Sequence, residues 1–223
     1  MAAMRVGAFM RCAIVMGMVA TGRASWTQPA YPSRPITFVV PFAAGGGGDV
    51  VARVLAKNLS ERIKNPVIVD NRVGAGGNIG AAYVMKSAPS GYTLLNMSST
   101  YAIQAAVSKL PFDPIEDMQP IVMVSRDPAV VLPDVVTFAE QGYPDYQVFD
   151  WKAVAGPKGL AADIVGFLSR ELNAVLREPE VSAKFEAEGA TVVGGTPEQM
   201  MQTVRSDIER WRSIVQKAKV KIE

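Results

Sequence analysis

The chain has 223 residues, 23 Lys and Arg against 21 Asp and Glu, one cysteine and no histidine. Without histidine it lacks the commonest general base, the commonest metal ligand and every serine–histidine triad. Its near-neutral charge argues against nucleic acid or an acidic membrane as partner.

The first residues read as an export signal. Arg5 and Arg11 precede a short apolar run, Ala13 to Ala20, and Gly22-Arg23-Ala24 is a small-x-small cleavage site. The run falls well short of the roughly 20 apolar residues that an anchor needs. Cleavage after Ala24 would remove Arg5, Arg11 and Arg23 and no acid, taking the formal charge from +2 to −1. The sole cysteine, Cys12, would leave with it, so the mature chain would have neither thiolate chemistry nor a disulfide partner. A lipid anchor there is disfavoured, because the apolar run follows Cys12 instead of preceding it.

Next, strands and helices alternate. Ile36 to Phe42 reads as a buried strand, and Asp49 to Ile63 as a helix with Val50, Val51, Val54, Leu55, Leu59 and Ile63 on one face. Pro66 to Asp70 is a second strand, followed by a glycine loop (Gly74 to Gly80) and a helix from Ile79 to Lys86. Tyr92 to Met97 is a third strand, running into Ser98-Ser99-Thr100 and a short helix to about Leu110. Such alternation predicts a parallel sheet flanked by helices, with ligands beyond the carboxyl ends of its strands.

The middle of the chain is thinner. Leu110 to Pro120 is a connector, Ile121 to Ser125 and Ala129 to Leu132 look like short strands, and Val135 to Gln141 is at best two helical turns. Gln147 to Ala155 is a strand containing Asp150, Trp151 and Lys152. Helices follow at Leu160 to Leu176 and from Pro179 to Gly189. A last one opens on Thr196-Pro197-Glu198-Gln199, a capping box with proline at the first helical position. Trp151 and Trp211 are expected in the core.

The stretch Pro41 to Arg53, PFAAGGGGDVVAR, carries the functional signal. A strand that empties into four glycines and a helix start makes a backbone anion site, since bare amides converge where the helix carries about half a positive charge. Asp49 suits a helix cap better than a ligand contact. No Lys-Ser/Thr follows the glycines, so this is not a P-loop. Val50 stands where a dinucleotide fingerprint wants its third glycine, although Asp70 would suit the acid. No cofactor or metal is expected. Gly74 to Gly80 serves either close packing or ligand approach. Ser98, Ser99 and Thr100 either cap a helix or touch ligand, and Tyr101 either stacks on ligand or covers a cleft rim.

Assembled, these stretches resemble the Bug-type solute receptors, the extracytoplasmic binding proteins of tripartite tricarboxylate transporters. RPITFVVPFAAGGGGDVVAR (34–53), VIVDNRVGAGGNIGA (67–81), SAPSGYTLLNMSSTYAI (87–103) and LPFDPIEDMQPI (110–121) carry the resemblance. LPDVVTFAEQGYPDYQVFDWKAVAGPKG (132–159) and REPEVSAKFEAEGATVVGGTPEQM (177–200) extend it. It implies an α/β fold of the type II periplasmic-binding-protein kind, non-enzymatic, holding small di- or tricarboxylates or related acids between two lobes. It also implies a periplasmic location and membrane permease subunits as partners. Family contacts would map onto Phe42, Ala43, Ala44, Gly45, Gly46 and Gly47, and onto Ser98, Ser99, Thr100 and Tyr101.

The chain departs from that family in one place. Members carry a further lobe, about a hundred residues and the size of an ordinary domain, between the segments that here meet near Val131 and Leu132. The expected layout is therefore a signal peptide over 1–24, a first lobe over 25–120, a truncated second lobe with crossover strands over 121–155, and a helical segment over 156–223. Losing the opposing lobe should cost about 3 kcal/mol of binding, roughly a hundredfold. Two other readings are a self-associating, non-binding remnant and an enzyme of carboxylate metabolism using Asp49, Asp150 or Lys152.

Overall fold

A computed structural model describes residues 30–128, 140 and 149–219. The expected signal segment, the strand at 129–132 and the helix at 135–141 lie outside those residues, apart from residue 140.

Ile36–Val40 (β1) is apolar and its Ile36, Phe38, Val39 and Val40 are fully buried, as a strand covered on both faces requires. It lies between Val67–Asn71 (β2) and Thr93–Ser98 (β3), parallel to both. Met118–Pro128 (β4), Phe149–Pro157 (β5) and Thr191–Gly194 (β6) complete one six-stranded sheet in the order β2-β1-β3-β5-β4-β6. Beyond β3 every pairing is antiparallel. The parallel sheet expected from strand–helix alternation thus holds for its first three strands, and the sheet as a whole is mixed. The reason is local: β4 and β5 pair directly with each other, antiparallel, and β3 pairs antiparallel with β5.

Helices cover both faces. Gly47–Ile63 (α1), Ala162–Leu176 (α4) and Pro179–Ala187 (α5) pack over one face around Phe38, Leu55, Leu94, Val124, Val154 and Leu172. Asn78–Met85 (α2), Thr100–Val107 (α3) and Pro197–Lys217 (α6) pack over the other around Val39, Leu95, Met97, Trp151 and Val204.

The capping box is present: Thr196 Oγ1 accepts from Gln199 N at 3.3 Å, and Gln199 Oε1 accepts from Thr196 N at 2.8 Å. β6 is the element that sequence patterning missed, being four residues long with only Gly194 buried. Trp151 is buried and its indole N–H donates to Asp207 Oδ2 at 3.0 Å, whereas Trp211 is only half-buried.

Candidate functional site

Beyond the carboxyl end of β1 the chain turns through Phe42 to Gly46 and enters α1. Gly45 sits at φ +82, a conformation that side-chain-bearing residues rarely adopt, and Gly46 is the N-cap. The four glycine amides divide into two pairs. Gly45 N–H donates to Asp49 Oδ2 at 2.8 Å and Gly46 N–H to Ala43 O at 3.3 Å, so both are spent inside the turn. The amides of Gly47 and Gly48, first in the helix, have no acceptor among the described residues. Those two are the donors the turn can offer to a ligand, reinforced by the partial charge of the helix end.

Asp49 neither caps the helix nor faces outward. Its carboxylate is buried and accepts from Gly45 N, from Arg53 Nε at 2.8 Å and from Asn71 Nδ2 at 2.9 Å, while Asn71 Nδ2 also reaches Phe42 O at 3.0 Å. The Arg53 hydrogen bond, opposed by burial and helped by Gly45 and Asn71, holds the Asp49 carboxyl at a pKa of about 2. Asp49 is the clamp that ties the turn to α1 and to the end of β2.

Alongside the turn opens a pocket of about 490 Å3. Gly45 and Gly47 line one wall, Val50, Val51 and Val54 of α1 another, and Phe185 a third. Its polar floor comes from the sheet, where buried Lys152 and Ser125 stand in register across β5 and β4, and buried Ser98 of β3, in register with Lys152, lies outside the pocket. Lys152 Nζ is 3.1 Å from Asp127 Oδ2 and forms a second ion pair with Asp150 Oδ2. Ser125 Oγ is 3.1 Å from Asp127 Oδ1, and Ser99 Oγ donates to Asp150 Oδ1 at 2.6 Å. Burial pushes the Asp150 carboxyl up, but the Lys152 and Ser99 hydrogen bonds together hold it below the usual carboxylate range. Buried Asn96 of β3 donates to Gly48 O at 3.4 Å, and its Oδ1 has no partner among the described residues.

The remaining expected site residues are placed differently. Ser99 is the N-cap of α3, yet its side chain makes no capping bond and goes to Asp150 instead. Tyr101 is buried, donates its hydroxyl to Pro114 O at 2.9 Å and stacks on Phe112 at 6.1 Å, so it belongs to the packing under α3. Burial, with the nearby Asp113 and Asp117 carboxylates, raises its phenol pKa. Phe42, Ser98 and Tyr101 share only a crevice of about 10 Å3, the room of a single water at most. Ala43 and Ala44 are exposed on the turn, while Thr100 is half-buried at the start of α3. Asp127, Ser125 and Asn96 escaped sequence reasoning. One signal was available: Asp150 and Lys152, two apart on a strand, must share a face.

The mixed sheet with helices on both faces is a fold of the periplasmic-binding-protein kind. The chain matches the description "Tripartite tricarboxylate transporter family receptor" over residues 51–132 and 124–220, and it belongs to that family. It is 28% identical to protein BugT of Bordetella pertussis over 299 aligned positions, covering 86% of this chain and 92% of that one. The periplasmic binding protein BugD aligns with a TM-score of 0.79 at 23% identity, over 86% of this chain and 99% of that chain. The MatC protein of Rhodopseudomonas palustris, solved with bound malate, aligns with a TM-score of 0.77 at 22% identity, over 83% and 100% of the two chains.

An alignment of 299 positions exceeds all 223 residues present, so BugT carries a long stretch with no counterpart here. The two family matches overlap at 124–132, which places the interruption at the end of β4. The second lobe is accordingly partial. Among the described residues no helix is long and apolar enough to cross a membrane, and no cluster of three or more His, Cys, Asp or Glu side chains could hold a metal.

Proposed function

We propose that the chain is a periplasmic receptor for small organic carboxylates, feeding a tripartite-type permease and binding without chemical conversion. The observation that carries this reading is the pair of uncommitted amides, Gly47 and Gly48, at an α-helix N-terminus beside a pocket of about 490 Å3. A carboxylate there accepts two charge-assisted hydrogen bonds of about 1.5–3 kcal/mol each. The malate held by the MatC structure is a small acid of the same class. With the opposing lobe curtailed, affinity falls about a hundredfold below that of a two-lobed receptor, a loss of about 3 kcal/mol.

The site proposed from this geometry is Gly45 and Gly47 with the Gly48 amide, floored by Ser125, Asp127 and Lys152. Phe42, Ala43, Ala44 and Gly46 shape the turn, and Ser98, Ser99 and Thr100 support the floor. Isothermal titration of small organic acids into the purified chain tests the reading. Millimolar-range binding that Gly47→Val weakens at least tenfold is expected, because a Cβ at Gly47 points into open space and its bulk enters the pocket. Unchanged affinity in that variant would remove the glycine turn from the site.

A further inference from the structure

The charge around the pocket says which acids it can hold, given the reading above that the Gly47 and Gly48 amides take a carboxylate. Among the described residues four charged side chains line it, Asp127, Lys152, Lys184 and Glu188. Both ammonium groups are already engaged: Lys152 with Asp127 and Asp150, and Lys184 with Glu180 Oε1 at 2.7 Å. Lining residues and their direct partners therefore bring four carboxylates against two ammonium groups. Asp49 adds nothing to that surplus, since Arg53 neutralises it.

The surplus sits opposite the glycine turn. Asp127 and Asp150 face each other in register across β4 and β5 and share the single Lys152 ammonium. Two like charges held directly opposite are unfavourable, and among the described residues each Asp127 oxygen has one partner and a lone pair to spare. Asn96 Oδ1, buried on the same sheet outside the pocket, is a further acceptor with no donor among the described residues. The floor therefore has carboxylate acceptors in excess of its donors, with one uncommitted N–H left on Lys152. A ligand whose far end is a second carboxylate would add charge to an already negative, partly buried surface; a far end that donates would relieve it.

We propose that this pocket selects small acids with one carboxylate and a hydrogen-bond-donating far end, hydroxyl or ammonium, and discriminates against dicarboxylates. Asp127 is the specificity-determining residue, receiving the donor while the glycine amides hold the carboxylate. Lys152 keeps Asp127 in place and contributes its remaining N–H to the floor.

A matched four-carbon series tests this by titration calorimetry on the full chain: butyrate, 4-hydroxybutyrate, 4-aminobutyrate and succinate. The expected order places 4-aminobutyrate and 4-hydroxybutyrate at least fivefold tighter than butyrate and at least tenfold tighter than succinate. Between the two donors, the ammonium arm should lead at low salt and fall back as salt screens it, while the hydroxyl arm stays constant. Asp127→Asn should abolish the ammonium advantage and bring succinate up towards butyrate. Should that variant fail to fold, Glu188→Gln, on the exposed end of α5, should narrow the aminobutyrate-to-succinate ratio by removing one carboxylate without touching the strand pair. Succinate binding as tightly as 4-aminobutyrate, or a ratio that ignores both variants, overturns the selectivity and leaves carboxylate binding intact. If no acid of the series binds at any concentration up to 50-fold above ~1 mM, the range set by the affinity arithmetic, the carboxylate reading falls with it.

Discussion

Two glycine-rich turns leave the same sheet edge and differ in what surrounds them. In the turn after β1, a Cβ built on Gly45 or Gly47 meets nothing within 4 Å. In the turn after β2, a Cβ on Gly76 would lie 2.3 Å from Gln104 Nε2, and one on Gly80 would lie 2.9 Å from Arg72 O and 3.0 Å from Pro41 Cβ. The second turn is glycine-rich because α2 and α3 must approach the backbone closely. The first has open space at Gly45 and Gly47, so no protein neighbour there requires glycine. They are coupled, since Gly77 and Gly80 press on Pro41 and Phe42, where the open turn begins. Glycine content alone therefore marks close approach, and only its surroundings tell whether the approaching party is a helix or a ligand.

The sharpest way to break this contrast is to add bulk to the packed turn. Gly80→Val forces its side chain against Arg72 O and Pro41 and should cost about 3 kcal/mol, read as a lower midpoint in urea. Asp49→Ala should come next. It strips Arg53, Asn71 and the Gly45 amide of their shared acceptor, and about 2 kcal/mol is expected from the unmade bonds. The same carboxylate gives a pH signature. Its folded pKa of about 2 lies below the ordinary value of 3.8, so its contribution is present above about pH 4 and is lost as pH falls towards 2. In thermal melts between pH 5 and 2, wild type should lose stability more steeply than Asp49→Asn. Equal slopes would mean that the clamp is electrostatically idle.

The asymmetry between the turns was only half legible in the sequence. Alternating apolar runs, breakers and the Thr196 capping box locate nearly every helix and strand, because burial on both faces leaves β1 and β3 few other options. β6 was hidden, since four residues are too few to establish a period, and its place in the sheet comes from pairing with β4. The glycine turn after β1 was legible as a motif. Its inner economy was not, because the capture of Gly45 N–H by Asp49 depends on how the turn closes. The polar floor was legible only as Asp150 and Lys152 on one strand face. That Asp127 stands opposite Asp150 is a matter of strand register across the shortened middle, which one sequence cannot reveal.

Smaller effects sharpen the same comparison. Thr196→Ala should remove one arm of the capping box and cost about 1 kcal/mol, with no consequence for either turn. Identical alanine substitutions in the two turns are more discriminating still, because their signs should differ. Gly47 has helical backbone and open space around its missing Cβ, so Gly47→Ala meets no obstacle and gains up to about 0.5 kcal/mol from lost chain entropy in the unfolded state. Gly80→Ala, also within a helix, earns the same entropic gain but sets its methyl against a carbonyl oxygen and a proline ring, and should be destabilising on balance. Paired denaturation curves decide the point. Opposite signs mean that the first turn, unlike the second, is free of protein packing at Gly47; a loss at both would show that Gly47, too, is hemmed in by protein.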